Sequence, residues 1–363
     1  MNGASAGAGR RPVLWRSSAG PVLRIGRCAL LVRPRALLVP AVLLALAAVL
    51  GLWTMTLGRI ELPAAQVFAI LTGRGDGGIG DQVVLGIRLP RLLTATFVGA
   101  ALGISGAIFQ SVSRNALGSP DIIGFTTGAA TGALLRIVLF GPGSLEVAMS
   151  AVAGGLGTAL AVYLLSARDG SVGGYRLILV GLGVGSVLAA VNGLLLVKGN
   201  LDNAITANLW LAGSLAARNW VHAGPVMAGT LLLLPVVLVL ARPLATIEMG
   251  DDVARQLGVA VERVRLAMLF CAVVLAALAT GAAGPIAFVA LAAPQLASRL
   301  AGGKGLHIMG AAAMGACLLV AADLLTQALP ARLTLPIGRT TGIVGGLYLL
   351  WLLSRPQRRH ART

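Results

Sequence analysis

The residues of this chain that could take part in catalysis are few and lie far apart. The three histidines, His222, His307 and His360, are isolated, and no His-Glu-x-x-His pattern occurs. No Gly-x-x-x-x-Gly-Lys-Ser/Thr loop, which would hold nucleotide phosphates, is present, because the Gly-Gly-Lys-Gly run at 302–305 has the wrong spacing. The cysteines lack the spacing of metal ligands: Cys28, Cys271 and Cys317. No serine or cysteine has an evident general base on a neighbouring apolar segment. We therefore predict no catalytic residue, metal site, cofactor or ATP site.

Ionisable residues inside the apolar stretches are the next candidates, and Asp323 is the clearest of them. A charge at that depth indicates either a functional group or a bond to a neighbouring helix, and we favour the bond. Ion-coupled transporters usually show several buried carboxylates or a His/Glu chain, which this sequence lacks. If the chain moved a solute across a membrane, the path of that solute would therefore be lined by small, hydroxyl and amide side chains. The candidates for such a path are Ser105, Gln110, Asn115, Thr126, Thr127 and Asn192.

The composition determines which kind of protein positions these residues. Of the 363 residues, 57% are hydrophobic and only 11% are charged, which excludes a water-soluble domain of this size. The formal net charge of +17 could indicate a nucleic-acid binder. The basic residues lie in tails and short loops, however, as is typical of the cytoplasmic loops of membrane proteins. The sequence predicts an all-α, multi-pass membrane protein that does not bind nucleic acid.

Apolar windows predict about ten transmembrane helices. They lie near 36–57, 92–112, 121–140, 145–165, 176–197, 223–241, 264–283, 284–298, 308–328 and 338–354. Gly284-Pro285 divides one long apolar stretch into the seventh and eighth of these.

An even number of spans places both termini on one side of the membrane. With both termini cytoplasmic, that side collects about 20 of the 29 basic residues. We therefore predict a disordered, basic cytoplasmic leader over 1–35, a transmembrane domain over 36–354, and a basic cytoplasmic tail over 355–363. The protein would lie in the inner or cytoplasmic membrane, in contact with lipid.

The stretch from Arg88 to Ala133 combines Arg-Leu-Pro-Arg, an apolar run GAALGISGAIFQ, a polar turn Asn-Ala-Leu-Gly-Ser-Pro-Asp and the run GFTTGAATGA. It reads as helix, tight turn, helix, and its small residues would let helices approach closely. These motifs resemble those of the FecCD-type permeases, the membrane subunits of ABC importers for iron-siderophore, haem and vitamin B12. The segments GPIAFVALAAPQLASRL and AADLLTQALPARLTLPIGRTTGIVGGLYLLWLL also match. The resemblance spans most of 84–354 and implies the fold of the vitamin B12 permeases.

The resemblance also implies roles for particular residues. In the family, arginines of the Arg-Leu-Pro-Arg motif meet acidic groups of the substrate-binding protein, so Arg88 and Arg91 are the expected docking residues. Without the resemblance, each could be a charge that snorkels to the interface. A third family arginine follows the aspartate of the ninth helix by four residues. Gln327 occupies that place here, and Arg332 is the candidate substitute.

The segment 242–265 is the longest cytoplasmic loop and the most charged. Asp251 and Asp252 would begin a short helix that ends near Gly258, where their charge suits the helix N-terminus. One interpretation is a solvated connector. The resemblance favours a coupling helix that inserts into an ATPase subunit. The matching positions are Gly250, Asp251, Ala254, Leu257 and Gly258.

Together these observations predict a permease subunit of an ABC importer for ferric siderophores, nearest in detail to the ferric enterobactin branch. Its partners would be two ATP-binding subunits, a second permease subunit and an extracytoplasmic siderophore-binding protein. The alternatives are import of vitamin B12 or haem by the same machinery, and an ion-coupled secondary transporter.

Overall fold

The computed structural model of the chain describes residues 13–17, 20–25, 28–31, 34–58, 60–141, 143–167, 174–302, 305–328 and 335–354. The helices, in chain order, are α1 Pro34–Thr56, α2 Ala64–Leu71, α3 Ile79–Val83, α4 Leu89–Ser113, α5 Phe125–Phe140, α6 Ser144–Ser166, α7 Gly174–Lys198, α8 Leu201–Leu211, α9 Trp220–Glu248, α10 Asp251–Gln256, α11 Val261–Ala283, α12 Val289–Ala301, α13 Ile308–Ala328 and α14 Ile337–Ser354. A π-helical turn, Val84–Arg88, joins α3 to α4, and a 3₁₀ turn, Pro120–Ile123, precedes α5.

Each of the ten predicted spans overlaps one of these helices. Within the described residues, seven helical segments are long and apolar enough to cross a membrane, and α5 is a shorter apolar helix. The predicted span 121–140 is shorter than expected because Pro120–Ile123 forms the 3₁₀ turn before α5 begins. The predicted break at Gly284 is confirmed, since α11 ends at Ala283 and α12 begins only at Val289.

Short strands lie within the predicted leader. Val13–Ser17, Gly20–Ile25 and Cys28–Leu31 form an antiparallel sheet in which Leu14 lies opposite Leu23. Valine, leucine and isoleucine favour strands, and the glycines among them suit the turns. Pro34 and Arg35, at the end of the predicted leader, begin α1. The other residues of the leader, and the tail at 355–363, lie outside the described residues, so the predicted disorder stays a prediction.

The core of the bundle is built from α4, α11 and α13, each of which has 72% of its apolar window buried. Small residues let these helices pack backbone against backbone. A side chain at Gly99 or Gly103 of α4 would overlap the carbonyls of Gly315 and Ala311 on α13, respectively. Because lipid tails are as apolar as leucine, such close packing is the main force that holds membrane helices together.

The helices on the periphery differ sharply in how much they are covered. The apolar window of α7 is only 6% buried, compared with 22–28% for α1, α6 and α9.

The two ends of the bundle are named by the residues they hold. The end that holds Arg88 is called the Arg88 face below, and the end that holds α10 is called the α10 face.

Candidate docking and translocation sites

The strongest polar contact on the Arg88 face joins two core helices. Arg91 at the start of α4 makes a bidentate pair with Asp323 near the end of α13, with Nη2–Oδ1 at 2.7 Å and Nε–Oδ2 at 3.1 Å. Asp323 is only 2% exposed. The preferred interpretation of Asp323, as a group that bonds a neighbouring helix, is confirmed.

Gln327 completes this cluster, since its Nε2 donates to Asp323 Oδ2 at 2.8 Å. The position where the family has an arginine therefore supports the Arg91–Asp323 pair and adds no charge. Arg332, the candidate substitute, lies outside the described residues.

Arg88 lies in a different environment, although it is only three residues from Arg91. It ends the π-helical turn, and its guanidinium donates to the backbone carbonyls of Met55 and Ile60. Trp220 Nε1 donates to the carbonyl of Leu85 in the same turn at 3.1 Å. These hydrogen bonds fix the position of the Arg88 guanidinium. No described carboxylate pairs with Arg88, so its positive charge is not neutralised.

A cavity of about 330 Å³ opens beside these residues. Its lining includes Arg88, Arg91, Asp323 and Gln327. The apolar side chains around them are Leu57 and Ile60 after α1, Val83, Ile87 and Leu92. An anionic group that entered this cavity would meet one free cation, Arg88, and one cation already paired, Arg91. Of the predicted docking residues, the structure brings Arg88 and Arg91 to one cavity but leaves only Arg88 unpaired.

On the opposite face, the predicted short helix is present as α10. Gly250 precedes it with φ +129° and Gly258 follows it with φ +79°, backbone conformations that favour glycine. Ala254 is buried against the bundle, while Leu257 is exposed. Val253 of α10 is exposed as well, and so is Met249, which lies before Gly250. These exposed apolar side chains, Met249, Val253 and Leu257, are called the α10 stripe below. An exposed apolar stripe of this kind is typical of a surface that binds a partner.

Asp251 fixes α10 to the core. Its carboxylate pairs with Arg114, at the end of α4, and with Arg265 Nη2 of α11 at 2.9 Å, while Arg265 Nη1 also bonds Glu262 at 2.8 Å. Partial burial acts to raise the pKa of Asp251, but the hydrogen bond and charge of Arg265, aided by Arg114, outweigh it and hold that pKa below its usual value.

This network predicts a difference between two adjacent carboxylates. Asp251→Asn removes the shared acceptor of two arginines, so we expect amide hydrogen exchange across α10 to accelerate about tenfold. Asp252→Asn is the matched control, because the Asp252 side chain is 91% exposed and pairs only with Arg255. Because the pKa of Asp251 is lowered in the folded state, its contribution is present above the unfolded pKa and is lost as the pH falls through the folded value. Equal exchange rates in the two variants would contradict the assignment.

The predicted path residues do not form one continuous surface. Ser105 is fully buried and its hydroxyl donates to the carbonyl of Ala272 at 2.7 Å, so it ties α4 to α11. Gln110 and Asn115 line a cavity of about 320 Å³ on the α10 face. Gln110 Nε2 donates to the Leu291 carbonyl at 2.9 Å, and Asn115 Oδ1 accepts from the Leu117 amide at 2.9 Å.

The other three path candidates lie together where α5 packs on α7. The Thr126 hydroxyl donates to Asp121 in the 3₁₀ turn. Asn192 Nδ2 of α7 donates to the Thr127 carbonyl at 3.3 Å, and its Oδ1 is buried without a partner. The six candidates thus lie in three places. Ser105 is in the core, Gln110 and Asn115 line the cavity on the α10 face, and the other three lie where α5 contacts the exposed helix α7.

The face of α7 that points away from the bundle carries a stripe of small residues. Gly183, Ser186, Ala190 and Gly193 follow at helical spacing and all are exposed. A Cβ added at Gly183 or Gly193 would meet no described atom within 4 Å. Small residues on an otherwise apolar membrane helix are typical of a close contact with another helix.

One cluster corrects the statement that no serine has a base nearby. Ser144 Oγ of α6 lies 2.8 Å from His222 Nε2 of α9, and His222 Nδ1 lies 2.9 Å from Asn219 Oδ1. Arg218 Nη1 lies 3.2 Å from the same Nε2. Since a guanidinium can only donate, Nε2 is an acceptor, and its lone pair is already engaged. His222 is therefore a poor general base, and the cluster ties the starts of α6 and α9.

The described part of the chain holds no cluster of side chains suited to binding a metal ion. No three His, Cys, Asp or Glu side chains converge there. What the geometry supports is binding and movement: a fixed cation on one face, exposed apolar side chains beside the charged helix α10 on the other, and an uncovered small-residue helix between them.

Known proteins are similar to this chain over most of its length. The chain matches the FecCD transport family over residues 44–355. It is 47% identical to the ferric enterobactin transport system permease protein FepG of Escherichia coli, over 90% of this chain and 98% of FepG. It is 33% identical to the hemin transport system permease protein HmuU of Yersinia pestis, over 91% of this chain and 98% of HmuU. A solved inward-facing structure of a metal-chelate type ABC transporter aligns with a TM-score of 0.76 and 28% identity, covering 86% of this chain and 98% of that one. This chain belongs to the FecCD transport family.

Proposed function

We propose that this chain is the permease subunit of an ABC importer that moves ferric siderophores, of the catecholate type, across the inner or cytoplasmic membrane. The observation that carries the proposal is the 47% identity to FepG over nearly the whole of both chains. The chain has no nucleotide-binding loop, so ATP hydrolysis belongs to partner subunits and this subunit is not an enzyme.

The topology proposed is ten transmembrane helices over residues 36–354, with both termini and the α10 face cytoplasmic. The distribution of basic residues supports this orientation. The Arg88 face then lies outside, where an acidic group of a siderophore-binding protein could reach Arg88. Such a charge pair would fix the register of docking and speed encounter.

The partner subunits follow from the surfaces that the single chain leaves uncovered. One of the two ATP-binding subunits would dock on the α10 stripe of this chain, and the other on the matching surface of the second permease subunit. A second permease subunit, identical or related, would pack against the small-residue face of α7, and the pore would form between the two subunits. Closure of the ATPase subunits on ATP would move α10, and the core helices tied to it through Asp251 would follow.

Reconstitution tests the function directly. Permease, cognate ATPase and binding protein in liposomes should accumulate radiolabelled ferric enterobactin when ATP is supplied, and the permease alone should accumulate none. Haem and cobalamin serve as competitors, because HmuU shows that haem carriers share the family. Preference for either competitor would overturn the siderophore assignment. Uptake that persists without ATP and collapses with an ion gradient would overturn the ABC mechanism.

A further inference from the structure

The cavity on the α10 face contains a carboxylate that the coupling network does not use. The cavity measures about 320 Å³ and lies where α4, α9, α12 and the start of α13 meet. Glu248, the last residue of α9, lines it and accepts a hydrogen bond from Ser111 Oγ at 2.5 Å. Within the described residues, no cation pairs with Glu248.

The neighbouring ion pairs cannot neutralise this charge. Arg114 and Arg265 on one side, and Asp251 and Glu262 on the other, form a network of two cations and two carboxylates with no net charge. Arg114 also lines the cavity, and its Nη2 is committed to Asp251 and, at 2.8 Å, to the Ile247 carbonyl. Glu248 therefore remains as one excess negative charge at the cavity.

Two other side chains that line the cavity carry a polar atom without a hydrogen-bond partner among the described residues. Gln110 uses its amide nitrogen on the Leu291 carbonyl, so its amide oxygen is left as an acceptor. His307 also lines the cavity, and its Nε2 is buried without a partner. A buried ring nitrogen normally has a hydrogen-bond partner, and it accepts one when the ring proton is on Nδ1. A carboxylate, an amide oxygen and an imidazole nitrogen around one cavity match a cationic side chain with several N–H groups.

Resting on the proposed function, we propose that this cavity receives a lysine or arginine side chain of the ATPase subunit, with Glu248 as its ion-pair partner. The contact would be a second attachment beside α10. Because the α10 stripe is apolar, it would contribute mainly to the affinity of the ATPase. The ion pair in the cavity would mainly fix the register of docking. Ser111 is a positioning residue in this scheme, because it holds the carboxylate at the cavity wall.

The test measures the affinity of the purified cognate ATPase for the full permease in lipid nanodiscs, at low and at high salt. Glu248→Gln is expected to weaken binding about three- to tenfold at low salt, with the difference shrinking at high salt. Ser111→Ala should shift affinity in the same direction by less. Glu61→Gln, the same charge change at an exposed position on the Arg88 face, is the matched control and should change nothing.

Two further variants separate the outcomes. Lys304, close to His307 in the sequence, lies outside the described residues, and Lys304→Ala tests whether the chain supplies its own cation. If Lys304→Ala reproduces the Glu248→Gln effect, the proposed partner is wrong. Leu257→Asp disrupts the α10 stripe. Loss of binding in Leu257→Asp with normal binding in Glu248→Gln would overturn this inference alone, whereas normal binding in both would also overturn the proposed docking of ATPase on α10.

Discussion

Replacing Arg91 by alanine is expected to destabilise the protein by about 3–5 kcal/mol, because it leaves a buried carboxylate without its cation. Asp323 is 2% exposed, and Arg91 is the cation that pairs with it. Thermal unfolding in detergent can be followed with a thiol-reactive dye, since Cys271 and Cys317 are free and buried until the helices separate.

The reverse substitution should cost less, and the asymmetry is the sharper part of this prediction. Asp323→Ala leaves Arg91, whose side chain is 26% exposed and can reach water, so we expect a loss of about 1–3 kcal/mol. The double variant should be more stable than Arg91→Ala alone, since it removes the unpaired charge. Additive losses in the three variants would contradict the pairing.

Arg88 is the matched comparison for Arg91. Its guanidinium meets backbone carbonyls and no described carboxylate, so Arg88→Gln should change stability little while weakening capture of the binding protein. If Arg91 paired with the binding protein instead, Asp323 would be left as a buried carboxylate without its cation. We therefore propose that Arg88 makes the docking contact and that Arg91 holds α4 to α13, which refines the pair expected from the motif.

The sequence predicted the helices well because each apolar run has one low-energy solution in a membrane. The span expected at 308–328 is the helix Ile308–Ala328, and Gly284-Pro285 divides α11 from α12 where a helix could not continue. Errors arose where local chemistry competes with apolar length. Pro120 and Asp121 lie in a 3₁₀ turn, so the third span begins later than predicted.

Side-chain roles were harder to predict because they depend on partners far away in the chain. Arg91 and Asp323 are 232 residues apart, and Ser144 and His222 are 78 apart, so no local spacing reveals either pair. Ser105 could equally have faced a pore or a neighbouring helix, because a small polar residue suits both. Only the packing of α4 on α11 decides that it bonds the Ala272 carbonyl.

The largest functional effect is expected on the outer face of α7, where Gly183→Leu combined with Gly193→Leu should lower transport at least about tenfold. Inside the single chain both positions are exposed, and an added Cβ has no described neighbour within 4 Å at either of them. The thermal unfolding of the subunit should therefore be unchanged. In an assembly whose second permease subunit packs on this stripe, the same side chains would hold the two helices apart.

The control for this prediction is Gly157→Leu on α6, which is likewise exposed and has no described neighbour within 4 Å of an added Cβ. It presents one added leucine to the membrane from a different helix, so either α7 substitution alone is its counterpart of equal volume. Uptake into liposomes and the dimer fraction in native mass spectra should fall in the α7 variant and stay normal in the α6 variant. Equal uptake in both variants would show that the α7 stripe faces lipid, and the pore would then have to form elsewhere.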